Sequence, residues 1–477
     1  MDVGVLGNSV ACMPQTARLL RLTKTGGKLI PSLAARQGHS LFLGPNVMSA
    51  MKAVAPTAYF NRLDAIRGVA ILWVVLYHFG GSVWGWETRK WEGGWDNSPA
   101  GLSIAGPVMA RVFAMGALGV PIFFVLSGFL IHYTYSRGND QRVSVFWFRR
   151  WGRIFPPYFV ALVAFTLWQG ILWTARGRSN FITHLFLVHN FNDHTLFGIN
   201  GSFWSLAVEA QFYALYPLLV LLRRKIGMAP LLYGSLAMRI GISLWIKLTP
   251  GGFGGDPAIG LMLPRLYFEW ILGMYVADCL LQGKRALPAG STVAWACVAY
   301  ACLALRHDWL ELGVAPAICV AVAIWIDHIV HQRRNPLLLE QALIPLGVIS
   351  YSIYLWHQPI VNEISRRIVF SPHAAQFPGT AILTCVAFLL CCLAITIVGV
   401  GGYRLFEAPA AEAVKRWSKQ GIFAAPLLAI SDSPEAATKP RGIREDGPAP
   451  VRVPSPAGRL PLQPAPAARS IRETSEA

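Results

Sequence analysis

Long apolar runs alternate with short polar connections along most of this chain. Runs near the ~20-residue length that carries a helix across a bilayer fall at 64–86, 112–135, 154–175, 204–222, 229–248, 262–282, 289–306, 310–331, 344–368 and 380–405. Lipid offers no hydrogen bonds to an open backbone, so runs of this length read as helices. The pattern predicts an all-α polytopic membrane protein with about ten transmembrane helices. Connections that alternate to one side hold Arg137, Arg142, Arg149, Arg150 and Arg153, then Arg223, Arg224 and Lys225, Lys284 and Arg285, Arg333 and Arg334, and finally Lys415 and Arg416. The bias of Lys and Arg toward the cytoplasm places both termini there. The opposite connections hold Arg89, Lys90, Arg176 and Arg178 beside Glu87, Glu92, Asp96, Asp193, Asp256 and Asp308. None is long enough for a further catalytic domain, so chemistry is expected in the bundle itself.

The flanks lack this pattern. Residues 1–55 are basic, with Arg18, Arg21, Lys24, Lys28 and Arg36, and their apolar stretches are too short for a span or a signal peptide. They are expected to form a disordered leader, or to lie outside the protein if translation starts at Met51. A membrane domain is expected over 56–415. Residues 416–477 are rich in Pro, Ala and Arg and are expected to be a disordered cytoplasmic tail, because they hold too little apolar surface to fold. Composition agrees: 54% hydrophobic residues, 14% charged and a mean hydropathy of +0.45 exclude an ordinary soluble domain, whose charged fraction is about 25%. The formal charge of +18 and the 17 Trp fit a bilayer with basic inner loops and aromatic belts rather than a nucleic-acid surface. The eight Cys lie mostly inside apolar runs with no CxxC pair, which reads as small hydrophobes rather than metal ligands or disulfides.

Ionisable groups inside a span are costly and so point to function. The first run carries Asp64, Arg67 and His78. Eleven residues return a helix to nearly the same face about 16 Å along its axis, so a cationic mouth at Arg67 and a deep imidazole at His78 share one stripe. The plain alternative is an Asp64–Arg67 pair and a His78 that hydrogen-bonds a neighbouring helix. Glu209 lies little more than a turn inside the fourth run, with Ser205 and Tyr213 one turn away on its face. It is at a depth comparable with His78 and suits a carboxylate that supports a histidine base, or one that only lines a wet crevice. Arg265 and Glu269, four apart on the sixth run, are expected either to neutralise each other or to contact substrate. In Ser350-Tyr351-Ser352-Ile353-Tyr354-Leu355-Trp356-His357-Gln358-Pro359 an aromatic half-span ends in His357 before a proline, which suits a passage for sugar or pantetheine but equally core packing. The connection Phe146-Trp147-Phe148-Arg149-Arg150-Trp151-Gly152-Arg153 offers Arg149, Arg150 and Arg153 to a diphosphate, against the plain reading of charge at the inner end of a span. His184, His189 and His194 recur every five residues, a step that scatters around a helix, and are read as loop residues with no metal site.

Five motifs in order carry a resemblance: Arg62-Leu63-Asp64-Ala65-Ile66-Arg67-Gly68-Val69-Ala70 with His78, Phe123-Phe124-Val125-Leu126-Ser127-Gly128-Phe129, Arg149-Arg150-x-x-Arg153-Ile154-x-Pro156, Phe203-Trp204-Ser205-Leu206-x-x-Glu209-x-x-Phe212-Tyr213, and Ser350 to His357. Together they resemble the membrane acyltransferase 3 family, over about Leu63 to Pro409. The resemblance implies a bacterial-type inner (plasma) membrane enzyme that O-acylates a saccharide or glycolipid. The donor would be acyl-CoA, usually acetyl-CoA, with no permanently bound cofactor. The family's motifs fall on Arg67 and His78, on Arg150 and Arg153, and on Glu209. Tyr403-Arg404-Leu405-Phe406-Glu407-Ala408-Pro409 stands where the family ends its last span and is read as a structural helix end. Some members carry a fused SGNH-type esterase domain; none is present here, so this chain is expected to finish the transfer itself or to hand over to another protein. CoA phosphates are then expected on Arg149, Arg150 and Arg153, with pantetheine passing Arg67 toward a His78 base supported by Glu209. An acyl-His78 intermediate, a flippase for a lipid-linked glycan, and a succinyl or glycosyl transferase on the same scaffold remain alternatives.

Overall fold

The computed structural model describes residues 58–84, 112–138, 140–249, 257–286, 290–304, 311–332, 335–370 and 380–419, all within the unit Thr57–Ala477. The expected leader 1–55, the tail beyond residue 419, and Glu87, Arg89, Lys90, Glu92, Asp96, Asp256, Asp308, Arg333 and Arg334 lie outside the described residues. Those described form helices and connections with no strand. In chain order the principal helices are α1 (Ala58–Trp84), α2 (Gly119–Ser136), α3 (Val143–Gln169), α4 (Ala175–Leu185), α5 (Trp204–Ile226), α6 (Met228–Leu248), α7 (Leu263–Leu281), α8 (Gly290–Ala304), α9 (Glu311–His331), α10 (Leu338–Val348), α11 (Ser350–Ile368), α12 (Thr380–Gly402) and α13 (Ala408–Lys419). A π-helical segment, Tyr403–Glu407, joins the last two.

Among the described residues six helices are long and apolar enough to cross a membrane, or seven if α10 and α11 form one span bent by 73°. The other three expected spans are also helical. They miss the criterion for local reasons: α3 begins with its arginines and holds Pro156 and Pro157, α7 carries Arg265, Glu269 and Asp278, and α8 has only 15 residues. The expected run 344–368 is therefore a bent pair. The break falls at Ile349, between Pro345 in α10 and the start of α11; a proline removes a backbone donor and crowds the turn before it.

Glycine sets how closely the central helices approach. A Cβ on Gly128 of α2 would stand 2.0 Å from the Trp270 carbonyl oxygen, and one on Gly273 of α7 would stand 1.9 Å from that of Val125. These two helices touch backbone to backbone because neither glycine has a side chain. Around this crossing the bundle packs Trp270, Phe212 and Tyr216 into a ring cluster. A second apolar cluster joins α1 to α3, α5, α11 and α12 through Phe79, Tyr158, Phe203 and Leu355.

Buried charges are paired between helices. Arg62 of α1 is fully buried and its Nη2 lies 3.1 Å from Glu340 Oε1 of α10. Glu340 Oε2 also accepts from the Leu337 amide at 2.8 Å, so one carboxylate caps α10 and clamps it to α1. At the basic end, Asp278 pairs with Arg223 and lies 3.6 Å from His132 Nε2, while His132 Nδ1 is 3.0 Å from the Tyr216 hydroxyl. That network ties α2, α5 and α7 together.

Candidate active site

Two cavities with charged and polar groups in their walls enter the bundle along the stripe of α1 that holds Arg67 and His78. The first, about 140 Å³, lies toward the basic end and is lined by Arg67, Ser127, Arg150, Arg153, Ser205, Glu209, Tyr213, Tyr351, Tyr354 and Glu407. The second, about 1150 Å³, lies toward the other end and is lined by Tyr77, His78, Trp168, Gln169, Asn200, Trp204, Arg265, Gln358 and Arg366 among others. Both share Val120 and Tyr354 in their walls. Arg67 lines the first cavity and His78 the second, as their spacing on one helix face requires.

In the first cavity three guanidinium groups converge from two helices. Arg67 pairs with Asp64 at 3.0 Å, Arg150 donates to Thr134 Oγ1 at 2.8 Å, and Arg153 lies 3.8 Å from Glu407 Oε1. Arg150 and Arg153 share a face of α3 and both line the cavity, Arg153 with its side chain 46% exposed. Arg149 is not among the residues that line this cavity: it is exposed and donates to Ser418 on α13 at 3.3 Å. Glu407, expected as part of a structural helix end, also lines this cavity. Glu407 is buried, accepts from Ser352 Oγ at 2.7 Å, and forms part of the cavity wall, because the π-helical segment re-aims it.

Glu209 also faces this first cavity. Ser127 Oγ donates to its Oε1 at 3.1 Å and the Tyr213 hydroxyl donates to the same oxygen. Its partners are therefore hydroxyls of α2 and of its own helix, and the expected support of His78 by Glu209 is not formed. The ring against His78 belongs to His357, with centroids 4.9 Å apart. His357 is fully buried behind the second cavity, its Nδ1 2.9 Å from the Tyr354 carbonyl, while its Nε2 is buried without a hydrogen-bond partner.

Between the cavities stands Tyr354. Its hydroxyl donates to the Ser202 carbonyl at 2.8 Å and lies 2.5 Å from Ser205 Oγ. Ser202 is held in turn by Asn200, whose Oδ1 accepts from the Ser202 hydroxyl at 2.8 Å and whose amide donates to the Leu355 carbonyl at 3.1 Å. Ser205 and Tyr213, picked out for their place beside Glu209, thus meet it in one wall, with Tyr354 added from α11.

The expected Arg265–Glu269 pair is not made. Glu269 is fully buried and its Oε1 lies 2.5 Å from Arg239 Nη1 on α6. Arg265 turns instead to Ser243 Oγ at 3.1 Å and the Gly260 carbonyl at 2.5 Å and lines the second cavity. Arg239 was not singled out in the sequence; its place in an apolar run was the available signal.

Beyond the second cavity, His184 and His189 stack with centroids 3.7 Å apart and planes 6° from parallel. They sit on α4 and on the short turn His189–Phe191. Burial pushes His184 down to about 4, and burial together with the neighbouring His184 pushes His189 down to about 2. Both rings are neutral near neutrality, which is what permits the stack.

Comparison with known proteins bears on the whole bundle. The chain is 27% identical over 350 residues to YrhL of Bacillus subtilis, a protein provisionally named a peptidoglycan O-acetyltransferase, a match covering 64% of this chain and 49% of that one. It is 25% identical over 337 residues to the peptidoglycan O-acetyltransferase OatA of Listeria monocytogenes, covering 64% and 50% respectively. The chain thus spans about half the length of the curated relatives it matches. No solved structure matches it. The profile of the acyltransferase 3 family, described as an acyltransferase domain, matches residues 60–397. That stretch runs from the start of α1 through most of α12 and holds Arg67, His78, Arg150, Arg153 and Glu209, and on this match the chain belongs to the acyltransferase 3 family.

Proposed function

We propose that this chain is a membrane O-acyltransferase that moves an acyl group, in the first instance acetyl, from cytosolic acyl-CoA to a hydroxyl of a saccharide or glycolipid. In this reading it crosses a bacterial plasma membrane ten times with both termini in the cytoplasm. The observation that carries the reading is the pair of cavities that meet at Tyr354, one lined by arginines and the other by His78. The basic connections that hold Arg137, Arg142, Arg223, Arg224, Lys225, Lys284 and Arg285 favour the cytosolic side for the first cavity. There Arg150 and Arg153 suit the CoA phosphates, since guanidinium groups bind phosphate oxygens in pairs. The narrow cavity suits an extended pantetheine arm, which passes Arg67 and brings the thioester toward Tyr354. The wide second cavity is somewhat larger than the ~300–1,000 Å³ range of ligand pockets, and its Trp168 and Trp204 suit sugar faces. The names of the relatives favour a glycan acceptor such as peptidoglycan.

His78 acts as general base in this scheme. It takes the proton of the acceptor hydroxyl as the oxygen attacks the thioester carbonyl; the new C–O bond forms, the C–S bond breaks, and the proton passes to the departing CoA thiolate. His357 packs against His78 and holds its ring in the cavity wall. Glu209 fixes the hydroxyls of Ser127 and Tyr213 where the thioester arrives, so its contribution is to the donor side.

The test is transfer of labelled acetyl from acetyl-CoA to cell-wall or surface glycan in membranes with normal amounts of each variant. His78→Ala is expected to lower the rate by about 10²–10⁴-fold. Arg150→Gln with Arg153→Gln is expected to raise KM for acetyl-CoA more than it lowers kcat. Rates near wild type for His78→Ala would sink the assignment, and glycan movement without acetylation would favour a flippase.

A further inference from the structure

The second cavity carries positive charge that its own helices do not balance. Arg239 takes the buried carboxylate of Glu269, while Arg265 makes its hydrogen bonds only to neutral oxygens. On the last turn of α11, Arg366 and Arg367 share the single carboxylate of Glu363, with Nη2 of Arg366 at 2.8 Å and Nε of Arg367 at 2.5 Å from Glu363 Oε1. All four arginines line the cavity, and Glu363 is the one carboxylate among its described lining residues. Four guanidinium charges against two carboxylates leave an excess of two. This end of the bundle is where the bias of Lys and Arg toward the cytoplasm argues against cations, and a guanidinium in a membrane helix is costly unless it meets a counter-charge. A bound anion would add the counter-charge that these described side chains leave short.

We propose that the acceptor is an anionic saccharide, whose carboxylate or phosphate oxyanion seats between Arg265 and the Arg366–Arg367 pair while its reacting hydroxyl reaches His78. The inference rests on the reading that this cavity takes the acceptor. Arginine suits the task because its planar fork meets either oxyanion with paired hydrogen bonds. Trp168, Trp204 and Gln169 on the same wall supply stacking and hydroxyl contacts for the neutral part of the sugar. A carboxylate borne by the sugar and a phosphate borne by a lipid carrier offer the same chemistry, and paired probes separate them.

The experiment measures equilibrium binding to the full chain in lipid nanodiscs. One probe pair is glucuronyl-β1,4-glucose and its carboxyl-reduced form, cellobiose; the other is decyl phosphoglucose and decyl glucoside. The anionic member of at least one pair is expected to bind about tenfold more tightly or better, and the advantage is expected to fall as salt rises because part of the site is exposed. Arg265→Gln and the double variant Arg366→Gln with Arg367→Gln are each expected to shrink it. The double variant alters side chains that are 67% and 72% exposed, so its fold is not at risk. The pair that shows the preference identifies the source of the oxyanion. Equal affinity within both pairs, no binding of any probe, or a preference untouched by all these variants would overturn the proposal. Acetyl transfer measured on the same nanodiscs separates the two readings: selective anion binding without transfer counts against the enzyme and leaves the anion site standing.

Discussion

Arg62 has no exposed surface, and Glu340 reaches it across the α1–α10 contact. Burying such a pair costs nearly as much in lost hydration as attraction returns, whereas removing one partner leaves a bare charge. Arg62→Met alone should therefore cost about 3–5 kcal/mol, and adding Glu340→Leu should recover most of it. Unfolding in mild detergent across this double-mutant cycle checks the claim, and a double variant as unstable as the single one refutes it. The same scale shows what a single sequence reveals about partners. Cost of burial alone marked His78, Arg67, Glu209 and Arg265, and all four line a cavity. Partner choice was not legible. Glu269 pairs with Arg239 on the facing helix rather than with Arg265 one turn away, and Glu209 takes Ser127 and Tyr213 rather than His78. Helical periodicity states which groups share a face, and says nothing of which facing helix supplies a better hydrogen-bond partner.

At the level of elements, the apolar runs located nearly every helix, because length and hydropathy are properties of a segment by itself. The bend at Ile349 and the π-helical turn at Tyr403–Glu407 were less legible, since both depend on neighbours; Glu407 enters the first cavity only through that turn. Helix crossings are likewise set by small local features. Gly273→Ala should destabilise the bundle by about 1–3 kcal/mol or more, since its new methyl would meet the α2 backbone. Gly241→Ala on α6 meets nothing within 4 Å and should stabilise by about 0.4–1 kcal/mol. Thermal unfolding of the two variants side by side tests whether close approach at the α2–α7 crossing, rather than helix propensity, sets the sign.

For the molecule as a whole, stability should depend on acidity through the stacked histidines. Their folded values lie below the ordinary histidine value, at about 4 for His184 and about 2 for His189. Unfolded chains therefore bind protons first as pH falls, and stability is present above about pH 6.5 and is lost progressively toward pH 4 and below. His184→Gln with His189→Phe should flatten this loss. Melting temperatures between pH 7.5 and 4.5 would show it, and an unchanged slope in the double variant would place the acid sensitivity elsewhere. A five-residue step says only that His184 and His189 do not share a helix face; the turn between α4 and α5 that brings their rings face to face has no periodic signature.

The shared wall at Tyr354 has an electrical consequence. Polar cavities that reach one side chain from opposite ends shorten the insulating part of the bundle to the residues around Tyr354, Ser205 and Val120. A membrane voltage then falls mostly across that thin barrier, where moving one charge is worth about 2.3 kcal/mol per 100 mV. In the proposed reaction the acceptor hydroxyl and the CoA thioester would meet at this barrier, so the transfer would run within the focused field of an energised membrane.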